Sequence, residues 1–198
     1  IYNYYKRQGW KYQQYIACLD PLGEDRGKTP YALNPEQYGM FLTELFNLWY
    51  EDWKKGEQPY IRQLENYIGI LLGYQPESCE QRGSCGIQNV VEADGSVYPC
   101  DFYALDEYKL GNFNCNRLEE IDKKRKEIAF VEQSQIEAEN CKNCKFYKIC
   151  KGGCRRNKDF NAMNGEYENY FCKSYRIFFD ICLERMIQIV EIIKNQKG

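Results

Sequence analysis

No histidine occurs anywhere in the 198 residues. That absence removes imidazole as a metal ligand, as a general base and as a switch near neutral pH. An excess of charge of one sign is missing too: 27 Lys and Arg face 29 Asp and Glu, a formal net charge of -2. Electrostatics therefore gives no reason to expect nucleic acid or a membrane surface as partner. The most apolar stretch, residues 176–194, is broken by Asp180, Glu184, Arg185 and Glu191, whereas crossing a bilayer takes about 18 or more apolar residues. The opening IYNYYKRQGW has neither the apolar run nor the small-residue cleavage site of a secretory signal. Cysteine, by contrast, is abundant, with eleven residues. Their odd number, a close C-x-x-C pair and the want of an export signal favour a reducing cytoplasm and metal ligation over a disulfide framework.

Residues 11–18, rich in Tyr and Ile and followed by Asp20, Pro21 and Gly23, predict a strand that leaves into a loop. Asn34 reads as an N-cap before Pro35 at the first helical position. Tyr38, Phe41, Leu42, Leu45, Phe46, Trp49 and Trp53 then recur at helical spacing until Gly56. A second helix is expected over 60–72, ending near Gly73. Past Cys79 the character changes to turns and short extended runs. Residues 87–92 and 96–98 flank Ala93-Asp94-Gly95, a hairpin signal, which would set Cys85 and Cys100 on neighbouring strands near its open end. Further helices are predicted over 116–130 and, with Phe178, Phe179, Cys182, Met186, Ile189, Val190 and Ile193 at helical spacing, over 175–194. Loops and short helical turns are expected over 141–156.

Eight of the cysteines fall into two blocks: Cys79-x5-Cys85-x14-Cys100, and Cys141-x2-Cys144-x5-Cys150-x3-Cys154-x17-Cys172. Eight thiols suffice for two sites of four thiolates each. Zinc and iron-sulfur clusters both accept such donors. Only Cys141 and Cys144 have zinc-knuckle spacing, and the long irregular intervals suit bulkier cubane clusters. Cys18, Cys115 and Cys182 lie outside both blocks and read as buried apolar residues. Lys142, Lys145, Lys148, Lys151, Arg155 and Arg156 crowd the second block, either offsetting the charge of an anionic cluster or forming a solvated basic loop.

On these cysteines the chain resembles the SPASM domain of radical S-adenosylmethionine enzymes, whose extension carries two auxiliary 4Fe-4S clusters. IACLDP at 16–21, the helix over 35–55, ESCEQRGSCGIQNVVEADGSVYPCDFY and CKNCKFYKICKGGCRRN are similar to the anaerobic sulfatase-maturating subgroup. The resemblance implies an α+β fold. Residues 1–73 would form the end of a partial (β/α)6 barrel with linking helices, and 74–198 a Cys-rich SPASM domain with a β-hairpin and a C-terminal helix. It also implies interleaved ligation, with Cys79, Cys85, Cys100 and Cys154 on one auxiliary cluster and Cys141, Cys144, Cys150 and Cys172 on the other. The implied activity is oxidation of a sulfatase Cys, in some members a Ser, to Cα-formylglycine. A deoxyadenosyl radical would remove a hydrogen from the substrate Cβ, and the auxiliary clusters would carry the resulting electron away.

Asp101, next to Cys100, matches the position proposed in that family as the base that takes the substrate proton; its plain reading is a hydrogen-bonding cap of the hairpin end. Leu19 would contact the adenine of S-adenosylmethionine, or simply pack. Implied partners are a sulfatase polypeptide with a C-x-P-x-R motif and an electron donor such as flavodoxin or ferredoxin. The C-x3-C-x2-C motif that binds the radical-generating 4Fe-4S cluster does not occur in these residues, and the chain opens on Ile1. That third cluster and S-adenosylmethionine are therefore expected on an N-terminal portion of a longer enzyme. Competing readings are another peptide-modifying radical enzyme that forms thioethers or side-chain crosslinks, a non-enzymatic iron-sulfur electron carrier, and a zinc-stabilised binding module.

Overall fold

A computed structural model describes residues 1–163 and 165–196. Helices and small sheets alternate along it: α1 (Tyr2–Arg7), β1 (Tyr12–Gln13), α2 (Pro35–Trp53), β2 (Tyr60–Ile61), α3 (Arg62–Leu71), α4 (Cys79–Arg82), β3 (Val90–Val91) and β4 (Ser96–Tyr98). There follow β5 (Gly111–Asn112), α5 (Leu118–Glu127), α6 (Phe130–Ser134), α7 (Glu139–Lys142), α8 (Tyr147–Cys150), β6 (Lys158–Asn161), β7 (Glu166–Asn169) and α9 (Cys172–Gln196). The class is α+β, with sheets of two, three and two strands. Among the described residues no helix is long and apolar enough to cross a membrane.

The main core is helical. α2 begins with a full capping box, in which the Asn34 side chain accepts the Gln37 N–H while the Gln37 side chain accepts the Asn34 N–H. Its buried face carries Tyr38, Leu42, Leu45, Phe46 and Trp49. This face meets Phe178, Phe179, Cys182, Met186, Ile189 and Val190 of α9, with Leu64, Tyr67 and Ile68 of α3 completing the cluster. Rings meet at centroid separations of 5.1 Å for Tyr67 and Phe179 and 6.2 Å for Phe46 and Phe178. Each such side chain, fully buried, contributes about 1.5–3 kcal/mol. The same cluster takes in Phe146 and Ile149, which flank and form α8, so the segment bearing Cys144 and Cys150 is bolted to the helical core.

β1 and β2 run parallel, Tyr12 opposite Tyr60 and Gln13 opposite Ile61, joined through α2. The strand expected over 11–18 is thus only two residues long: residues 14–18 lie outside it. Likewise the helix expected from residue 60 starts at Arg62, because Tyr60 and Ile61 are taken by this pairing.

The hairpin forms about the Asp94-Gly95 turn, with Val91 opposite Val97 and Val90 opposite Tyr98, and β5 adds a third antiparallel strand. Cys85 and Cys100 flank these strands rather than sitting on them; Cys100 caps a 3-10 turn over Asp101–Tyr103. The helix expected over 116–130 breaks at Ala129, which has φ 47°. The break turns Phe130 onto Tyr103, ring centroids 5.1 Å apart. Cys182 is fully buried as expected, but Cys18 and Cys115 are exposed. Cys115 lies in the turn after β5, where its thiol faces the Asn112 carbonyl and the Asn116 side chain, both at 3.6 Å, instead of a core.

Candidate functional site

All eleven cysteines are free thiols, and the electrostatic neighbours of eight of them fall into two sets that cut across chain order. Cys79 opens α4, which is held to α3 by Gln81 Nε2 donating to the Gln63 carbonyl at 2.7 Å and by the Glu77 N–H donating to Asn66 Oδ1 at 2.8 Å. Cys85 interacts electrostatically with Cys79, Cys100 with Cys85, and Cys154 with both Cys79 and Cys85. In the second group Cys141 interacts with Cys172 and Cys144, and Cys150 with all three. The thiols of Cys141, Cys144, Cys150 and Cys172 line one cavity of about 410 Å³.

Burial pushes Cys100 and Cys150 up to about 12 and raises Cys85, Cys141 and Cys154 as well. Such thiols resist ionisation unless a cationic centre bonds to them. Backbone N–H groups two residues on oppose that rise: Phe102 at Cys100, Gly152 at Cys150 and Arg156 at Cys154, the last at 3.4 Å from sulfur. Among the described residues no three Cys, Asp or Glu side chains converge on one ion-sized position. The donor chemistry and a cavity many times the roughly 30 Å³ share of one water suit a cluster with four thiolate ligands.

A second cavity, of about 650 Å³, brings Cys79 and Cys154 together with Leu19, Tyr15, Arg62, Glu77, Asp101 and Phe102. Asp101 is exposed, its Oδ1 accepting from the Cys100 thiol at 3.2 Å. The Glu80 carboxyl, raised by burial, accepts the Tyr175 hydroxyl at 2.6 Å and thereby ties α4 to α9.

Leu19 is positioned by its neighbour. Asp20 accepts the Gly27 N–H at 2.7 Å, and the Thr29 N–H and hydroxyl at 2.8 and 2.9 Å. Arg26 fastens the same loop to Asp159 at 2.7 and 2.9 Å, and Arg156 donates to the Asp20 carbonyl. The hydrogen bonds from Thr29 and Gly27 hold the Asp20 carboxyl down at about 2, against an ordinary 3.8. Since the folded value is the lower, this stabilisation is complete above about pH 4 and lost as pH falls through about 2. Asp20→Ala is expected to speed amide hydrogen exchange at Gly27 and Thr29 at neutral pH, read by mass spectrometry; unchanged exchange would show that Arg26 and Arg156 hold the loop without the carboxylate.

Residues 79–145 match the SPASM family, described as an iron-sulfur cluster-binding domain. Over 194 residues the chain is 43% identical to a cysteine-type anaerobic sulfatase-maturating enzyme of Clostridium perfringens (strain 13 / Type A), an overlap of 98% of this chain and 52% of that protein. Along nearly its whole length the chain is thus similar to one part of an anaerobic sulfatase-maturating enzyme. A solved structure, native anSMEcpe with bound AdoMet and Cp18Cys peptide, superposes with a TM-score of 0.88 at 43% identity, over 97% of this chain and 53% of that one. A serine-type relative from Bacteroides thetaiotaomicron is 28% identical over 215 residues, 100% of this chain and 51% of that protein. The chain thus spans about half the length of the curated relatives it matches.

Three of the six basic residues that crowd the second Cys block are engaged away from sulfur. Lys142 pairs with Glu139, Lys145 with Asp180, and Lys151 lies 5.4 Å over the Tyr147 ring. Among the cations that do interact with the grouped thiols are Arg155, at Cys85, Arg156, at Cys154, and Lys158. Lys158 stands within the second block, between Cys154 and Cys172, at the start of β6, and no local pattern marks it.

Proposed function

We propose that this chain holds two auxiliary four-iron clusters of an enzyme that oxidises a sulfatase active-site Cys to Cα-formylglycine. Cys79, Cys85, Cys100 and Cys154 would bind one cluster and Cys141, Cys144, Cys150 and Cys172 the other. The observation that carries the reading is the interleaved grouping: Cys154 joins the group of Cys79, Cys85 and Cys100, although it lies between Cys150 and Cys172 in the chain. When bound, clusters with every iron ligated by thiolate supply one-electron acceptance and leave no open iron for substrate.

The 650 Å³ cavity is the proposed substrate face, because it unites two ligands of the first group with Leu19 and Asp101. Leu19 would pack on the adenine of S-adenosylmethionine. Asp101 would accept the substrate thiol proton. In the free-thiol form its Oδ1 takes the Cys100 hydrogen; as an iron ligand Cys100 has no proton to give, which frees that oxygen for substrate. The greater identity to a cysteine-type than to a serine-type relative, 43% against 28%, favours a Cys substrate. Partners on this reading are a sulfatase polypeptide with C-x-P-x-R and a flavodoxin or ferredoxin in the cytoplasm, with the third cluster and the remaining S-adenosylmethionine contacts supplied by the rest of the enzyme.

The test is the intact enzyme acting anaerobically on a C-x-P-x-R peptide. Exchange of sulfur for oxygen with loss of two hydrogens, about 18 Da, supports the reading; an unmodified peptide alongside full deoxyadenosine production rejects it. Asp101→Asn is expected to keep iron content and deoxyadenosine formation while cutting peptide turnover by about 100-fold or more, the usual worth of a positioned base. Normal turnover would leave Asp101 as a cap of the hairpin end.

A further inference from the structure

Between the two sulfur groups lies a cation to which that reading assigns no role. Lys158 opens β6, and its ammonium donates to the Ser134 carbonyl at 3.0 Å and to the Ile136 carbonyl at 3.5 Å. Ser134 is itself buried, and its Oγ accepts the backbone N–H of Cys85 at 2.8 Å. One serine therefore anchors both the ammonium and a member of the first group. On its other side Lys158 shares a cavity of about 210 Å³ with Cys141 of the second group, walled by Gly83, Lys151 and Gly152. Its electrostatic neighbours accordingly come from both groups: Cys85 and Cys154 from the first, Cys141 from the second, with Glu137 facing it too. Burial pulls its pKa down, and those four groups push it back up.

We infer that Lys158 is the electrostatic tie between the two clusters, a single half-buried positive charge that stabilises the reduced form of each and raises both reduction potentials together. The inference rests on the two-cluster reading above. Adding one electron to either cage adds one negative charge, and a fixed cation nearby lowers the energy of that state, most of all where water is scarce. An electron lost by one cage and gained by the other stays in the field of the same ammonium. Transfer between them then meets no large step of this charge's making. Arg155 also faces Cys85, but its contacts with Phe130 and Gln133 place it on the first group's side.

The experiment is an anaerobic redox titration of the intact, fully reconstituted enzyme, followed by electron paramagnetic resonance. Lys158→Met, Lys158→Arg and, as a matched loss of charge on an exposed helix position, Lys123→Met are compared with the parent. With iron and sulfide equal to the parent, Lys158→Met is expected to lower both auxiliary potentials, shifting the reduced-to-oxidised ratio about tenfold, or about 59 mV for one electron. Lys158→Arg should restore most of that shift, Lys123→Met should cause none, and the S-adenosylmethionine-binding cluster should keep its potential. Unchanged potentials in a fully loaded Lys158→Met enzyme, or a shift in one auxiliary cluster alone, would overturn the inference while leaving the two-cluster reading intact. If Lys158→Met fails to load, Lys158→Gln and Lys158→Arg decide: equal potentials in those two overturn it. A parent enzyme free of inorganic sulfide would sink the cluster reading and this inference together.

Discussion

Cys154→Ala in the intact enzyme is expected to lose about four irons per chain relative to the parent, the content of one cubane cluster, and to abolish peptide oxidation. Cys154 sits on the Gly152-to-Asn157 turn that follows α8, surrounded in sequence by the second group, yet its neighbours in space are Cys79, Cys85 and Glu80. Removing its sulfur leaves the first group with three thiols and strips the Arg156 N–H of its acceptor. Cys141, Cys144, Cys150 and Cys172 keep their cavity, so the second cluster's signal should persist. Cys182→Ala provides the contrast: that thiol is buried between α9 and α2, and its loss should leave iron untouched while costing about 1 kcal/mol of packing. Anaerobic iron and sulfide analysis with electron paramagnetic resonance checks both. Retention of full iron by Cys154→Ala would dissolve the interleaved assignment, since a ligand cannot be removed without consequence to its cluster.

Gly83→Ala should produce the largest loss of stability from a single methyl group. Gly83 ends α4 at φ 73°, and a Cβ there would stand 2.1 Å from the Lys151 carbonyl oxygen and 2.6 Å from the Lys151 Cβ. Lys151 in turn ends α8 at φ 55°. Two helix caps therefore abut, one closing the turn that begins at Cys79 and the other closing the turn that ends at Cys150. The left-handed conformation costs an L-residue about 1–2 kcal/mol, and the overlap with a backbone oxygen adds about 1–3 kcal/mol because no rotamer change can relieve it. Together these correspond to a fall in thermal midpoint of about 4–20 °C, with release of iron at lower temperature. Gly73→Ala isolates the strain: φ is 92° but nothing lies within 4 Å of its Cβ position, so only the conformational share, about 1–2 kcal/mol, is expected. Equal melting of the two variants would refute the abutting caps.

The elements legible in the sequence are those whose signals are local. α2 announces itself through Asn34, Pro35 and Gln37 and an apolar stripe of more than four turns, and the observed Pro35–Trp53 follows it closely. α9 follows from the same periodicity, starting three residues earlier than expected because Cys172 already lies in its first turn. Asp94-Gly95 marks the hairpin, since that dipeptide suits the turn geometry. The misreadings have one origin. Residues 14–18 carry strand-forming side chains, but strand length is set by a partner, and β2 offers only Tyr60 and Ile61. α5 stops where Phe130 finds Tyr103 and Tyr108, a contact no helical period encodes. β6 and β7 exist because Lys158 to Asn161 pair with Glu166 to Asn169, four-residue runs without a strand's alternation.

The candidate site divides the same way. Order and composition alone settle that the chain offers eight closely spaced thiols and no imidazole, and that two amphipathic helices frame the core, because donor type and helical period are properties of residues within a turn or two of one another. Which thiol meets which is decided only when α4, the hairpin and the turn after α8 converge, bringing Cys154 to residues more than sixty positions earlier. The same convergence sets Lys158 between the two groups and Asp101 and Leu19 on one cavity wall. Meetings of that kind cost loop entropy and are repaid by burial of residues elsewhere, so they follow from the packing of α9 on α2 and α3 and not from any spacing that can be counted along the chain.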